Sequence, residues 1–273
     1  MVEGLDELIV RIKSLEIQGA KEIAIQSLKF LRDYAKLKGF GREFEYAASN
    51  IEKARPTAVV LHNCLEILRQ KKSIETINKL LGQLNHATSE MGKRGSRLIR
   101  SNSVIMTHCH SGDALAVIKK AHSEGKKISV YATETRPKNQ GVKTALELAQ
   151  LRIPVTLITD AAAGFFMNEV DMVIVGADAI RQEGVVNKIG TYILAVLAKE
   201  HKIPFYVVGS TLKLDNRKKI IIEERSPGEI IDNMKSLKTR NPAFDVTPWK
   251  YVKRVVTEKG IMTPANVLRM LKK

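Results

Sequence analysis

Four short segments of this 273-residue chain carry side chains suited to proton transfer and anion binding. Thr107-His108-Cys109-His110-Ser111-Gly112-Asp113 sets a thiol between two imidazoles, just ahead of a helical run. Thr133-Glu134-Thr135-Arg136-Pro137 reads as a polar turn after a β-rich run. Gly176-Ala177-Asp178 puts a carboxylate straight after another. Asn187-Lys188-Ile189-Gly190-Thr191 reads as a polar, cationic helix start. Cys109 has three readings. As a small buried hydrophobe it needs no chemistry. As a thiolate it would draw on the imidazoles and the helix start, both of which favour the charged form. As a metal ligand it would act with His108 and His110. Adjacent side chains diverge, however, and no fourth ligand has matching spacing, so no metal is expected. Asp178 reads either as a turn or cap residue or as an acid. Lys188 and Arg55, taken singly, are surface cations. Taken together, one thiol, one carboxylate and several cations suit an aldose-to-ketose isomerisation. One group takes the proton beside the carbonyl carbon, another moves protons between oxygens, and the cations hold a phosphate. Proton transfers alone suffice, so no cofactor is expected.

These segments need a scaffold, and the chain supplies two rhythms. Up to about residue 100, apolar residues recur three or four apart. Examples are Leu5-Leu8-Ile9-Ile12-Leu15 and the runs 20–38, 44–53, 57–69 and 73–97, which predict helices. Cys64 falls in one of these runs and reads as core. From residue 101, short β-rich runs alternate with helical ones. The predicted strands are Val104–Met106, Ile128–Ala132, Val155–Ile158, Met172–Val175 and Phe205–Val208. The predicted helices between them are 113–124, 143–151, 161–166 and 188–201. That alternation means right-handed βαβ units and a parallel sheet covered on both faces. The expected fold is α/β: a helical N-terminal domain over 1–100, then a Rossmann-like, doubly wound parallel-sheet domain over 101–273. Ligands in such sheets bind beyond the carboxyl ends of the strands, where the four segments lie. No Gly-x-Gly-x-x-Gly is present, so dinucleotide binding is not indicated.

Composition narrows the class. Apolar residues make up 44% and charged residues 27%, a globular balance. No apolar stretch approaches the roughly 18 residues of a membrane span. The charged N-terminus does not read as a signal peptide, so a cytoplasmic location is expected. Two cysteines cannot build a disulfide framework or a four-cysteine zinc site. The net charge of +16 is spread along the chain rather than gathered in a tail. With aromatics at 5%, single-strand stacking is not expected, and neither is a nucleic-acid partner.

The motifs THCHSGDALAVI, TETRPKNQG, IPVTLITDAA, VIVGADAI, NKIGT and NPAFDVTP carry a resemblance that runs from about Leu15 to Leu271. The chain resembles the family that unites three groups. These are the alpha, beta and delta subunits of translation initiation factor 2B, methylthioribose-1-phosphate isomerase and archaeal ribose-1,5-bisphosphate isomerase. The archaeal members are the most similar. The resemblance implies the same two-domain fold and a dimer or larger homo-oligomer formed through the C-terminal domain. It implies Cys109 as base and Asp178 as proton shuttle. Asn187, Lys188, Arg55 and Lys213 would hold substrate, and His110 and Ser111 would line a phosphate pocket. Two positions depart from the isomerase pattern. The family's Arg-Gly-Ala phosphate loop is here Gln18-Gly19-Ala20, and the bisphosphate enzymes have a lysine where this chain has Gly112. Both changes remove a cation from a site for a doubly phosphorylated sugar.

Two expectations follow. The first is a regulatory, alpha-type subunit that binds a phosphorylated metabolite, either a sugar phosphate or a nucleotide. Its partner would be the alpha subunit of initiation factor 2. The departures at Gln18 and Gly112 and the segment DAAAGFF at Asp160 motivate it. The alternative is an aldose-1-phosphate to ketose-1-phosphate isomerase similar to ribose-1,5-bisphosphate isomerase, which the Cys109 and Asp178 pair motivates.

Overall fold

The computed structural model describes residues 4–17, 19–231 and 237–272. The chain divides into two compact units, residues 1–87 and 88–273. In the first unit, α1 (Leu5–Lys13), α2 (Ala20–Lys38), α3 (Arg42–Ala54) and α4 (Val59–Gln70) bury one stripe each. Leu8, Ile12, Leu28, Leu31, Ile51, Leu61 and Leu65 are all at most 1% exposed, at the helical spacing seen in the sequence. Cys64 sits in that core. The next helix, α5 (Ile74–Gly95), starts where Ser73 Oγ accepts the Thr76 N–H at 3.0 Å. Its last turns lie against α6 (Gly112–Ser123). A Cβ at Gly95 would fall 2.5 Å from Val117, so only glycine fits there.

The second unit is built on a seven-stranded sheet. Its strands are β1 (Ser103–Thr107), β2 (Ile128–Thr133), β3 (Val155–Ile158), β4 (Met172–Val175), β7 (Phe205–Val208), β9 (Arg254–Thr257) and β10 (Gly260–Met262). They lie in the order β10-β9-β7-β4-β1-β2-β3, all parallel except β10. From β1 the chain moves outward through α6 to β2 and through α7 (Gln140–Gln150) to β3. It then returns to the other side of β1 at β4. Right-handed crossovers running in opposite directions put their helices on opposite faces. The reversal falls between the neighbouring strands β1 and β4, the switch point beyond whose carboxyl ends open α/β sheets bind ligands. β4 is buried along its whole length, as expected of a strand covered on both faces.

All five predicted strands of this sheet are present. The structure adds β9 and β10, plus a small antiparallel sheet of β5 (Ala179–Ile180), β6 (Val185–Lys188) and β8 (Phe244–Thr247). Asn187 and Lys188 therefore close a strand and do not open a helix. The helix α9 (Thr191–Glu200) starts three residues later, after Gly190 at φ +101°. The polar side chains of Asn187 and Lys188 hid a strand whose pairing with β8 is long-range.

Candidate functional site

The site is assembled at the ends of β1 and β4. Thr107 Oγ1 donates to the Ile174 carbonyl at 2.8 Å, which fastens these two ends together. Beyond Thr107 the chain turns through His108-Cys109-His110-Ser111 into α6. Cys109 adopts φ +67°, a left-handed conformation costing a residue with a Cβ about 1–2 kcal/mol. Neighbouring loops hold it there. Its N–H donates to Thr135 Oγ1 at 2.8 Å, and its carbonyl accepts from Thr144 Oγ1 at 2.8 Å. Thr135 is also left-handed, at φ +61°. Asp160, beyond β3, steadies it by accepting the N–H groups of Thr135 and Arg136 at 2.8 and 2.7 Å. Three consecutive loops thus fix one thiol.

That thiol is half-buried and lies 3.5 Å from Gln140 Oε1. Burial pushes its pKa up to about 11. The charge of Lys188 pulls against that, while Asp178 and Asp160 push further up. Lys188, Asp178 and Asp160 are therefore close enough for their charges to act on the sulfur. Asp178, partly exposed, follows β4 and anchors β5 through its N–H to the Val186 carbonyl at 2.8 Å. Lys188 is 8% exposed. Its ammonium stands over the Phe244 ring, 5.2 Å from the centroid, and among the described residues it makes no ion pair. A buried cation without a carboxylate partner suits a site whose counter-charge arrives with an anion.

Ser111 caps α6, its Oγ accepting the Ala114 N–H at 3.3 Å. Gly176 makes room for it. A Cβ at Gly176 would sit 2.2 Å from Ser111 Oγ and 3.9 Å from Asn187 Oδ1, so Ser111, Gly176 and Asn187 share one spot. Asn187 is buried and donates through Nδ2 to Thr191 Oγ1 at 3.0 Å. Gly112 is exposed, with open space where a Cβ would stand. His110 lies 3.1 Å from Thr144 Oγ1 through Nδ1 and 3.6 Å from Glu147 through Nε2. Burial lowers its pKa, and Glu147 opposes the shift.

Lys213 ends a short turn after β7, with Nζ 2.6 Å from Asp113 Oδ2. Arg55 follows α3 in the first unit, with its N–H bonded to the Glu52 carbonyl at 3.2 Å. Gly19, at φ +84°, precedes Ala20, the first residue of α2. Gln18 is outside the described residues. Sequence reasoning gave no individual site role to Thr135, Thr144 and Asp160, which shape the thiol loop, or to Asp113 and Asp245. Asp113, Thr135, Asp160 and Asp245 each lie in one of the motifs that carry the resemblance, whereas Thr144 carried no such signal.

Residues 16–264 match the initiation factor 2 subunit family. The chain belongs to this family. It is 39% identical to ribose 1,5-bisphosphate isomerase of Methanocaldococcus jannaschii, over 98% of this chain and 94% of that protein. It is 41% identical to methylthioribose-1-phosphate isomerase of Acetivibrio thermocellus, over 97% of this chain and 87% of that protein. Among solved structures, the translation initiation factor eIF-2B of Pyrococcus horikoshii OT3 superposes with a TM-score of 0.87 at 31% identity, covering 97% of this chain and 98% of that one. The 5-methylthioribose 1-phosphate isomerase of the same organism superposes with a TM-score of 0.77 at 32% identity, covering 98% and 87%. The fold expected from the sequence and the family resemblance both hold. Among the described residues no helix is long and apolar enough to cross a membrane.

Proposed function

We propose that this protein is an aldose-1-phosphate to ketose-1-phosphate isomerase, with Cys109 as base and Asp178 as proton shuttle. What supports this reading is that Cys109 and Asp178 follow the neighbouring strands β1 and β4, and that the charges of Asp178 and of the buried Lys188 act on the thiol. The relatives named as sugar-phosphate isomerases support it at 39% and 41% identity.

An aldose and its ketose differ only in where hydrogens sit. The Cys109 thiolate takes the proton from C2 while Asp178 gives one to the ring oxygen as its bond to C1 breaks. A C1=C2 enol forms. Asp178 then takes the C2 hydroxyl proton as the ketone forms, and the thiol returns its proton to C1. No proton is gained or lost overall. Lys188 neutralises charge as it builds on oxygen, and Asn187 orients the sugar. Ser111, His110 and the α6 N–H groups around Gly112 receive the phosphate, and Lys213 adds a further positive charge. The protein works as a homo-oligomer. The exposed apolar residues Phe165, Ile193 and Val196, at 79%, 62% and 39% exposure, support such an assembly.

The test is turnover of ribose 1,5-bisphosphate and 5-methylthioribose 1-phosphate, followed by NMR of the ketose. Activity on at least one is expected, with losses above about a thousandfold in Cys109→Ser and Asp178→Asn. Absence of turnover on both, or active variants, removes the reading. A second reading, a regulatory subunit that docks the alpha subunit of initiation factor 2, draws on the TM-score of 0.87 to the Pyrococcus horikoshii factor. Co-purification with that subunit at physiological salt tests it.

A further inference from the structure

The isomerase chemistry leaves one buried group of the loop without a task. His108 is 2% exposed, and each ring nitrogen bonds to a different loop. Nε2 lies 2.8 Å from the Ile189 carbonyl, and Nδ1 lies 2.6 Å from Thr133 Oγ1. A carbonyl only accepts, so Nε2 carries the proton. Nδ1 is then the acceptor, and the Thr133 hydroxyl donates to it. Burial lowers the pKa of His108, and the Lys188 charge adds to this; the Ile189 bond and the Asp160 charge oppose it. The ring is neutral in this arrangement. The turn beyond it is moulded to the imidazole. Gly190 takes φ +101°, and a Cβ there would stand 3.0 Å from His108 Cε1.

Resting on the isomerase reading, we propose that His108 is a positioning residue. Its neutral ring ties the strand end that carries Cys109 to the turn directly after Lys188, and so sets the separation between thiol and ammonium. The charged groups acting on the thiol are Lys188 from β6, Asp178 after β4 and Asp160 after β3. Those acting on the ring are Asp160 and Lys188. Lys188 alone among them favours the thiolate. Among the described residues its ammonium has a ring face and no carboxylate to hold it, so its backbone anchor decides where the charge stands. His108 grips the residue next to that anchor.

The experiment is the rate of iodoacetamide alkylation of Cys109 at pH 9 in the full chain, read by peptide mass spectrometry. His108→Phe fills the same volume without a donor, and it should slow alkylation about three- to tenfold. His108→Gln keeps a donor at the Nε2 position and should stay within about twofold of the unmodified protein. His108→Asn is too short to reach Ile189 and should behave like His108→Phe; it serves if the phenylalanine variant does not fold. Lys188→Met should slow alkylation at least as much. Placed in the Lys188→Met background, His108→Phe should add nothing, because the strut acts through that ammonium. An equal slowing in both backgrounds, or none in either, overturns the proposal. So does an alkylation rate unchanged by Lys188→Met. The readout needs no turnover. An inactive protein would remove the isomerase reading and leave this result to be judged separately.

Discussion

Lys213 Nζ lies 2.6 Å from Asp113 Oδ2, and both side chains are only 7% exposed. Thr88 Oγ1 donates to the other carboxylate oxygen at 3.1 Å. The pair spans one hundred residues of sequence and ties the first turn of α6 to the loop after β7.

Removing one partner of a buried pair leaves an uncompensated charge. Lys213→Met should therefore cost about 3–5 kcal/mol in a denaturant titration. Lys213→Met with Asp113→Leu should regain most of that. Turnover of the double variant separates two roles for Lys213. A structural pair returns activity along with stability; a phosphate contact does not.

Gly176→Ala forces a methyl group into Ser111 Oγ, at 2.2 Å. The cap of α6 must then shift. The expected loss is about 1–3 kcal/mol, seen as a lower Tm, together with weaker phosphate binding by calorimetry. Adding Ser111→Gly should restore stability in part and leave binding impaired. An alanine variant with unchanged Tm and affinity would refute this account of the loop.

The base must be deprotonated to act, and burial holds the Cys109 thiol near about 11. Between pH 7 and 9 the thiolate fraction rises about tenfold per pH unit. The expected rate of Cys109 alkylation by iodoacetamide therefore climbs with a slope near one across that range. Lys188→Met should lower the line throughout. An alkylation rate flat from pH 7 to 9 would mean that the thiol is not held protonated there by burial.

Asp245 on β8 accepts the N–H groups of Gly190 and Tyr192 at 2.8 and 3.1 Å, and so caps α9. Burial raises its carboxyl from 3.8 to about 6. Its folded pKa lies above the unfolded one, so the unfolded chain loses this proton first as pH rises. The stability contribution is complete below about pH 3.8 and lost as pH passes 6. Relative to Asp245→Asn, the unmodified protein should lose on the order of 3 kcal/mol between pH 3.5 and 7.5. Parallel stability curves for the two proteins would contradict this.

Local pattern determined much of this protein. Helical spacing marks the stripes that α1 to α4 bury, and β-branched runs mark β1, β2, β3, β4 and β7. The order of these elements already implied a parallel sheet with a ligand site at its carboxyl edge, and put Cys109 and Asp178 at strand ends. The sequence motifs also carried the family. Tertiary structure decided the rest, because it depends on pairings distant in sequence. Lys188 became a strand residue through β8, nearly sixty residues on. Lys213 met Asp113, Asp245 met the α9 start, and His108 joined Thr133 to Ile189. No local propensity encodes which buried charge finds which partner. That follows from where the sheet reverses direction, and from the cost of leaving any of these groups unpaired in a dry interior.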